Sequence, residues 1–431
     1  MGVKLGILGL GTVGTGTVQL LQDGTGRHPL LQEIEIYKVG VRSLDKSRAV
    51  TLPKSVLMTD LDAIVNDPKV DIIVEVMGGL EPARSLILKA IENGKHIVTA
   101  NKAVISRFGE EIFTSANKAG VYVMLEAAVG GGIPVIQPLK QSLSVNRIQS
   151  VTGIVNGTTN YILTRMQLEG SNFSDVLADA QKLGYAEADP TADVEGLDAA
   201  DKIAILASLA FDGRIKLEDV YCEGIRQVSK TDIAYAEKLG FVIKLLAIAQ
   251  TVIPPSSNPP ISVRVHPTLV PKNHPLASIN GVNNAIFIEG EPIGQVMLFG
   301  PGAGAGATAS SVSSDILNLV ASLKTSTALP NPLLGCRHQH YCQITPMAEL
   351  VTRFYARFLT RDQSGVIGKI GTCFGDRGVS LESVVQTGFQ GELAEIVVVT
   401  HDVREGDFRQ ALAEIHSLPA IDSIPSVLRV L

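Results

Sequence analysis

A glycine-rich loop joins the first strand of the chain to its first helix. Val3–Leu8 is short and apolar, Gly9-Leu10-Gly11-Thr12-Val13-Gly14 follows at once, and Thr15–Leu21 has the pattern of a helix. A G-x-G-x-x-G sequence between a strand and a helix is typical of a dinucleotide site. Its glycines allow a tight turn and close approach of the pyrophosphate, while the helix N-terminus attracts the phosphates. The loop therefore predicts a Rossmann-type α/β domain with dinucleotide contacts at Gly9, Gly11, Thr12, Val13 and Gly14.

The end of the second predicted strand bears on which dinucleotide binds. The strand covers Glu33–Val41, and Arg42 follows it, with Lys46 and Arg48 close behind. NAD-binding domains place an acidic residue near this position, where it binds the ribose 2′-hydroxyl. A guanidinium suits a 2′-phosphate instead. We therefore expect Arg42 to contact the cofactor and NADP to be preferred, with NAD still allowed. A solvated basic turn explains these residues equally well.

The composition excludes several classes of partner. The chain has 431 residues, 45% of them hydrophobic, so we expect two or three domains with ample cores. The net charge is −6 and no basic run occurs, which argues against nucleic acid or an anionic membrane as a partner. No apolar run reaches the roughly 18 residues of a membrane span. Because Met1–Leu10 runs straight into the glycine loop, it does not resemble a signal peptide. We expect a soluble, cytoplasmic protein.

The α/β alternation continues through the first third of the chain. Val70–Met77 and His96–Thr99 are predicted strands, with a helix over Pro82–Asn93 between them. Lys102 follows the second of these strands, at the carboxyl end where ligands bind in open α/β sheets. We expect Lys102 to lie near the nicotinamide, although most loop lysines are only solvated.

A second glycine-rich segment, Val129–Pro134, follows a predicted strand over Val121–Ala127. Glycines permit unusual backbone angles and expose backbone carbonyls. Carbonyl and carboxylate oxygens are the ligands that hard cations prefer. These carbonyls, together with Glu126, therefore suit a cation, and close packing of the backbone is the alternative.

The middle third changes pattern. Ser150–Val155 is a predicted strand, and the polar turn Asn156–Asn160 leads into a helix over Tyr161–Leu168. The amides and hydroxyls of this turn suit a substrate carboxylate, with ordinary N-capping by Thr158 or Thr159 as the alternative. Beyond it we expect a helix over Ser229–Gln250 capped by Thr231 or Asp232, a Pro/Ser loop over 253–260, and an antiparallel sheet of Ile261–Leu269, Ala285–Glu289 and Gln295–Phe299.

An acidic segment runs from Gly184 to Lys202 and contains six carboxylates. Asp198 and Lys202 are four residues apart, so they share one face of a helix. Pro190 and Gly196 oppose helix in the first half of the segment. The arrangement suits a small substrate that carries an amine. Taken by itself, the segment is more simply an exposed loop with a surface ion pair, which contributes little.

A third glycine loop, Gly300–Ala307, precedes a predicted helix that extends through Leu323. A low-complexity linker is the alternative, but the helix that follows directly disfavours it. We expect this helix to return the chain to the nucleotide-binding domain.

Six motifs resemble those of homoserine dehydrogenases, in the order GLGTVG, TANKA, EAAVGGGIP, GIVNGTTNYIL, GYAEADPTADVEGLDAADK and GPGAGAGATAS. The resemblance covers nearly the whole chain, and its middle motifs are more specific than the glycine fingerprint. It implies an NAD(P)-dependent enzyme that interconverts L-homoserine and L-aspartate 4-semialdehyde. This reaction lies on the route from aspartate to threonine, isoleucine and methionine.

The same resemblance implies roles for individual residues. Lys102 and Lys202 would be the lysines at the reacting oxygen, with Lys202 as the favoured acid/base, because hydride loss from an alcohol requires removal of the hydroxyl proton. The other implied residues are Glu187, Asp198 and Asp193 for substrate, Gly184 and Gly304 for cofactor, and the backbone around Glu126, Val129, Gly131 and Ile133 for a monovalent cation such as sodium. From their places in the sequence, Thr158 of the polar turn is a further expected substrate contact and Lys102 a further expected cofactor contact.

The C-terminal segment has the predicted order βαββαβ. Strands are expected over Phe354–Leu359, Ser380–Gln386, Glu395–Thr400 and Ser426–Leu431, with helices over Val366–Phe374 and Glu405–Leu418. This order resembles the ACT domain, a module that binds amino acids and often pairs between subunits. The resemblance implies threonine as an effector and a homodimer or homotetramer. A purely structural dimerisation module is the alternative.

The predicted organisation has four parts. They are a Rossmann domain over 1–135 completed by a returning helix near 305–325, an α+β substrate and dimerisation domain over 136–303, a linker over 326–349, and an ACT-like domain over 350–431. Because the chain starts at the nucleotide-binding strand, we expect a monofunctional enzyme without an upstream kinase.

Two rival functions follow from the same fold. A semialdehyde dehydrogenase needs a nucleophilic cysteine, and the four cysteines begin at Cys222 with no catalytic, zinc or CxxC spacing. A sensor of nucleotide and amino acid without catalysis would leave Lys102, Lys202 and the acidic cluster without a purpose.

Overall fold

A computed structural model describes residues 2–252, 260–325, 331–336 and 340–431. The predicted Pro/Ser loop, apart from Pro260, lies outside these residues, as do 326–330 and 337–339 of the predicted linker. The chain divides into two compact units. Unit 1 comprises Met1–Val151, Asp201–Asp219 and Asn284–Cys342, and unit 2 comprises Thr152–Ala200, Val220–Asn283 and Gln343–Leu431. The four-part division above therefore stays a prediction.

The first 140 residues alternate strands with helices. The elements are β1 Val3–Leu8, α1 Thr12–Gln22, β2 Ile34–Gly40, β3 Leu57–Met58, α2 Leu61–Asn66, β4 Ile72–Glu75, α3 Ala83–Glu92, β5 His96–Thr99, α4 Lys102–Ala119, β6 Val123–Met124 and α5 Ile136–Lys140. Helix α1 begins three residues earlier than predicted, and the strand predicted over Val121–Ala127 is only two residues long.

Six strands of unit 1 form one sheet in the order β3-β2-β1-β4-β5-β6. All the pairings are parallel, and β1 lies between β2 and β4. This is the strand order of the doubly wound dinucleotide-binding fold, in which ligands bind at the carboxyl ends of the strands where the order reverses. The Rossmann-type prediction is confirmed.

The middle of the chain supplies the next set of elements. They are β7 Arg147–Ile154, α6 Gly157–Glu169, α7 Phe173–Lys182, α8 Thr191–Val194, α9 Leu197–Ala210, β8 Tyr221–Cys222, α10 Lys230–Lys238, β9 Phe241–Thr251, β10 Ile261–Pro271, β11 Asn283–Glu291 and β12 Gly294–Pro301. The helix predicted over Ser229–Gln250 is wrong: a short helix, α10, ends before Gly240, and the buried strand β9 follows. Ser229, rather than Thr231 or Asp232, caps α10.

The last elements are α11 Ala305–Lys324, β13 Val351–Arg361, α12 Val366–Asp376, β14 Leu381–Gln390, β15 Leu393–Thr400, β16 Val403–Arg404, α13 Glu405–His416 and β17 Ile421–Val430. From β13 onward the order is βαββαβ with the small extra strand β16, as predicted. In unit 2 the strands lie in the order β9-β10-β17-β13-β15-β14, with the β10–β17 pair parallel and the other pairs antiparallel. An aromatic core of Phe354, Phe358, Phe374 and Phe408 lies under this module.

Helix α11 packs against the nucleotide-binding elements of unit 1. Its buried residues Val312, Ile316 and Leu319 join one apolar core with Leu5 and Ile7 of β1. The returning helix therefore contributes directly to the core that supports the glycine loop. Among the described residues, no helix combines the length and apolar character needed to cross a membrane.

Candidate active site

The glycine loop of unit 1 is built for close backbone packing. A Cβ on Gly14 would lie 2.2 Å from the carbonyl oxygen of Gly9, so only glycine fits at this position. Gly11 is the N-cap of α1 and no side chain caps the helix, while Thr12 and Val13 form its first turn. The first amides of α1 are therefore not occupied by a side-chain cap, which suits phosphate binding at this helix start.

The start of α11 lies beside α1. The carbonyl oxygen of Ala305 is 2.8 Å from the position of a Cβ on Gly16, one turn into α1. Gly304 is the N-cap of α11, and here too no side chain caps the helix. The uncapped start of α11 therefore packs against α1 one turn after the uncapped start of that helix.

The turn after β2 is exposed. Arg42 is exposed and forms no ion pair with any described residue, whereas Arg48 donates to the carbonyls of Ser43, Leu44 and Lys46. Arg48 thus shapes the turn, and Arg42 presents its guanidinium to solvent. A cavity of about 240 Å³ lined by Lys46, Arg48, Val50, Thr51, Leu52 and Leu57 adjoins the turn.

A hydrogen-bonded chain fixes the residue that precedes Lys102. Buried Glu75 accepts from the Thr99 hydroxyl at 2.7 Å, and that hydroxyl accepts from the Asn101 amide at 3.0 Å. The Asn101 side chain donates to the Gly79 carbonyl and caps α4 by accepting from Val104. Lys102, half-buried, is therefore the first residue of a helix anchored at the carboxyl ends of β4 and β5.

In unit 2, one side-chain amide joins two of the predicted carboxylates. The Asn156 Nδ2 group donates to Asp193 at 2.7 Å and to Asp198 at 2.9 Å. The Asn156 Oδ1 atom caps α6 by accepting from the Thr159 amide at 2.8 Å. The cap is thus Asn156, and the alternative of capping by Thr158 or Thr159 is wrong. Asp198 lies in the first turn of α9, the helix that carries Lys202, which is half-buried.

The remaining residues of the polar segments differ in exposure. The Thr158 hydroxyl is buried and donates to the Tyr185 carbonyl at 2.6 Å. Glu187 has an exposed side chain, and Gly184 is exposed with φ near 74°. Thr158 therefore shapes the segment that carries Gly184 and Glu187.

The segment from Glu126 to Ile133 is almost entirely buried. Both carboxylate oxygens of Glu126 accept amides at the start of α5, at 2.5 to 2.8 Å from Val135, Ile136 and Gln137. The Glu126 amide donates to buried Asp315 at 2.8 Å, and burial is the main cause that raises the pKa of both carboxyls, to about 8 for Asp315. The Glu126 side chain is thus occupied by backbone amides.

Three family models match the chain. They are the homoserine dehydrogenase NAD-binding domain over residues 9–126, homoserine dehydrogenase over 134–317 and the ACT domain over 354–420. The homoserine dehydrogenase of Synechocystis sp. is 66% identical over 433 aligned residues, which cover 100% of both chains. This chain belongs to the homoserine dehydrogenase family.

Solved homoserine dehydrogenase structures agree. The enzyme from Thiobacillus denitrificans superposes with a TM-score of 0.92 at 39% identity, covering 100% of this chain and 98% of that one. A hyperthermophilic archaeal homoserine dehydrogenase in complex with NADPH gives a TM-score of 0.61 at 25% identity, covering 77% of this chain and 100% of that one. As a member of the family, the chain is an oxidoreductase that acts on a CH–OH group in amino-acid biosynthesis, with a nicotinamide-nucleotide-binding domain and an ACT domain.

Membership in the homoserine dehydrogenase family also argues against the first rival function, a semialdehyde dehydrogenase. Burial raises the pKa of the Cys222 and Cys342 thiols to about 11, so neither is a ready thiolate nucleophile. The pKa of Cys373 is likewise raised by burial. These thiols lack the environment that a semialdehyde dehydrogenase nucleophile needs.

Within unit 1 the structure brings the start of α11 against α1, the helix that follows the glycine loop, and it places Lys102 at the carboxyl edge of the same sheet. Within unit 2 it brings Asp193 together with Asp198, while Thr158 contacts the carbonyl of Tyr185 beside Gly184. Sequence reasoning missed Asn156, Glu75 and Asp315. The position of Asn156 before a helix was a usable signal, since Asn is a preferred N-cap; its bonds to distant carboxylates were not visible in the sequence.

Proposed function

We propose that this homoserine dehydrogenase oxidises L-homoserine to L-aspartate 4-semialdehyde with NADP, and catalyses the reverse reduction. The observation that supports this proposal most is the Asp193–Asn156–Asp198 arrangement, which lies at the start of the helix that carries Lys202. It orients carboxylates one helical turn from a lysine, and a substrate with an ammonium group and a hydroxyl group needs both.

In the proposed mechanism, Glu187 and Asp198 bind the substrate ammonium, with Asp193 supporting Asp198 through Asn156. Lys202 accepts the hydroxyl proton in the oxidative direction and returns it to the aldehyde oxygen in the reductive direction. Lys102 supplies positive charge beside the same oxygen. The hydride acceptor and donor would be supplied by C4 of a bound nicotinamide. One alcohol thus loses a hydride and a proton and becomes an aldehyde.

Cofactor contacts are proposed at the loop Gly9–Gly14 and at Lys102, Gly184 and Gly304, with Arg42 at the 2′-phosphate. The exposed guanidinium of Arg42, without an ion-pair partner in the described residues, fits this role. The archaeal relative in complex with NADPH supports the same preference. NAD remains the alternative, because solvated basic turns are common.

A monovalent cation such as sodium is proposed at the backbone of Glu126, Val129, Gly131 and Ile133. Val129 and Ile133 are buried, and their carbonyls accept no hydrogen bond from any described residue. A Cβ on Gly131, which has φ near 56°, would lie 2.4 Å from the Gly302 carbonyl oxygen, so the turn requires glycine. The described residues contain no cluster of three His, Cys, Asp or Glu side chains suited to a metal ion, so backbone oxygens would supply the ligands.

Regulation is proposed at the ACT domain. A cavity of about 210 Å³ lies at the loop between β13 and α12, lined by residues that include Asp362, Gln363, Gly365 and Gln386. Its size and polar lining suit an amino acid such as threonine, a product of the proposed pathway to threonine, isoleucine and methionine. A homodimer or homotetramer in the cytoplasm completes the proposal, and a purely structural role for the ACT domain is the alternative.

The decisive test is homoserine-dependent reduction of NADP, measured by absorbance of the reduced nicotinamide, with Lys202→Met beside the parent. We expect turnover by the parent and a loss of at least about 100-fold in kcat for Lys202→Met, since a general acid/base contributes typically 10²- to 10⁴-fold. Lys182→Met, an exposed lysine of α7, is the matched control and should retain parental kcat. Fluorescence titration with NADPH establishes that each variant still binds cofactor.

Either of two results would contradict the proposal. Absence of turnover with NADP and with NAD would favour the sensor without catalysis. Full activity of Lys202→Met would keep the dehydrogenase but transfer the proton to Lys102 or to water.

A further inference from the structure

A buried carboxylate joins the two helices that carry the proposed lysines. Asp201 lies on α9 immediately before Lys202, and 7% of its surface is exposed. One of its oxygens, Oδ1, accepts from the Ser106 hydroxyl at 2.7 Å and from the Arg107 guanidinium at 2.8 Å. Both donors belong to α4, which begins at Lys102. All five residues are in unit 1.

The contact is close to both lysines along the chain. Ser106 is four residues after Lys102, so the two side chains share one face of α4 about one turn apart. Asp201 is the direct neighbour of Lys202. The link therefore holds the second turn of α4, one turn after Lys102, against the part of α9 that carries Lys202.

The donors are themselves held in place. The Arg107 guanidinium also donates to the Ala103 carbonyl and to the Ser106 hydroxyl, each at 3.2 Å. Asn101 and Thr99 fix the start of the same helix to the sheet, as described above. Because α4 is fixed at its N-cap by the sheet, the Asp201 contact ties α9 to a helix that is itself anchored.

We propose that Asp201 is a positioning residue that sets the distance between the two proposed catalytic lysines through its bonds to Ser106 and Arg107. The inference rests on the proposed roles of Lys102 and Lys202. Proton and hydride transfer require reacting groups placed within a fraction of an ångström, and a displacement of about 1 Å can cost about 10²-fold in rate. The carboxylate acts through the helices and does not touch substrate.

The test compares Asp201→Ala, Asp201→Asn and Arg107→Met in the full-length chain. We expect Asp201→Ala to lower kcat by about 10- to 100-fold while the KM for NADP stays near the parental value. Asp201→Asn retains an acceptor for Ser106 and should lose much less. The double variant Asp201→Ala/Arg107→Met should lose no more than Asp201→Ala, because both changes break one interaction. With homoserine deuterated at the carbinol carbon, the isotope effect on kcat should rise in Asp201→Ala, since the chemical step becomes slower.

Glu110→Gln is the matched control on the same helix. Glu110 binds Arg214 at 2.7 Å and also accepts from Tyr341, one turn beyond Ser106 and away from Lys102. We expect this variant to keep parental kcat even if its melting temperature falls.

Three results would overturn the inference. The first is a parental kcat and a parental isotope effect in Asp201→Ala. The second is a loss of kcat in Asp201→Asn and in Glu110→Gln as large as the loss in Asp201→Ala. The third is additive losses of kcat in the double variant. If the proposed function itself is wrong, the parent chain will show no homoserine-dependent turnover. That result is distinct from the three above, which concern the variants.

Discussion

Asn156 performs two tasks with one side chain. Its oxygen caps α6, and its NH₂ group bonds to Asp193 and Asp198, which would otherwise repel each other. A short polar residue at the helix start therefore organises carboxylates that lie 37 and 42 residues further along the chain. The position of the proposed ammonium site depends on this residue as much as on the carboxylates.

Asn156→Asp separates the two tasks. Aspartate caps helices as well as asparagine does, but it cannot donate to the carboxylates and adds a third negative charge. We expect the KM for homoserine to rise by about tenfold, corresponding to loss of one hydrogen bond to a charged group, with little change in the KM for NADP. Steady-state kinetics at fixed saturating cofactor measures this.

Asn172→Asp is the control for Asn156→Asp, since Asn172 is an exposed N-cap of α7 whose side chain makes no capping bond. It should leave both KM values unchanged. An unchanged KM for homoserine in Asn156→Asp would show that the amide does not organise the substrate carboxylates.

Elements with a clear hydrophobic periodicity, or with glycine, proline or capping residues at their ends, could be predicted from the sequence. Strand β9 could not. Phe241–Gln250 is apolar apart from Lys244 and Gln250 and is buried on both faces, and such a run fits a buried helix as well as a buried strand. The Ser229–Asp232 capping box marks a true helix start, but Gly240, with φ near 86°, ends the helical region before the strand begins. The helix thus ends near Gly240, although the apolar sequence continues beyond it.

Lys244 shows what the buried strand imposes. Its ammonium donates to Asn160 at 3.2 Å, to Asn280 at 3.0 Å and to the Ile279 carbonyl at 2.5 Å, so β9 is tied to α6 and to the segment before β11. Three acceptors match the three donors of an ammonium group. Burial nevertheless lowers the pKa of Lys244 from its usual 10.5 to about 8.

This lowered pKa predicts a pH-dependent stability. Between about pH 8 and 10.5 the unfolded state binds more protons at Lys244 than the folded state, so the free energy of unfolding rises with pH in this window. The rise is bounded by about 3 kcal/mol. Urea denaturation across the window should show that Lys244→Met loses this increment relative to the parent. The exposed Lys369→Met variant is the control, and parallel curves for all three proteins would contradict the assignment.

At the scale of the whole molecule, the order of modules was predictable from the motifs, because each motif is local in sequence. The buried charges that bind the last module to the rest of unit 2 were not, since their partners lie far apart in the chain. Arg357 of β13 pairs with Asp232 of α10 at 2.7 Å and with Glu395 of β15 at 3.2 Å. Arg429 of β17 pairs with Glu223 at 2.9 Å and with Glu405 of α13 at 2.6 Å.

These pairs predict that the ACT domain contributes to the stability of unit 2 and does not fold as an independent attachment. Arg357→Met leaves Asp232, a fully buried carboxylate, without its guanidinium partner, and breaking a buried pair from one side costs about 3–5 kcal/mol. Arg377→Met, which breaks the exposed pair with Glu414 inside the same module, should cost much less, because exposed ion pairs contribute little to stability. The test measures the denaturant concentration at which each variant unfolds and the KM of each variant for homoserine. If the two variants unfold at the same denaturant concentration, the prediction is contradicted, because the buried pair then adds nothing to the stability of unit 2. If only Arg357→Met is destabilised and its KM for homoserine rises, the ACT domain supports the substrate site through α10.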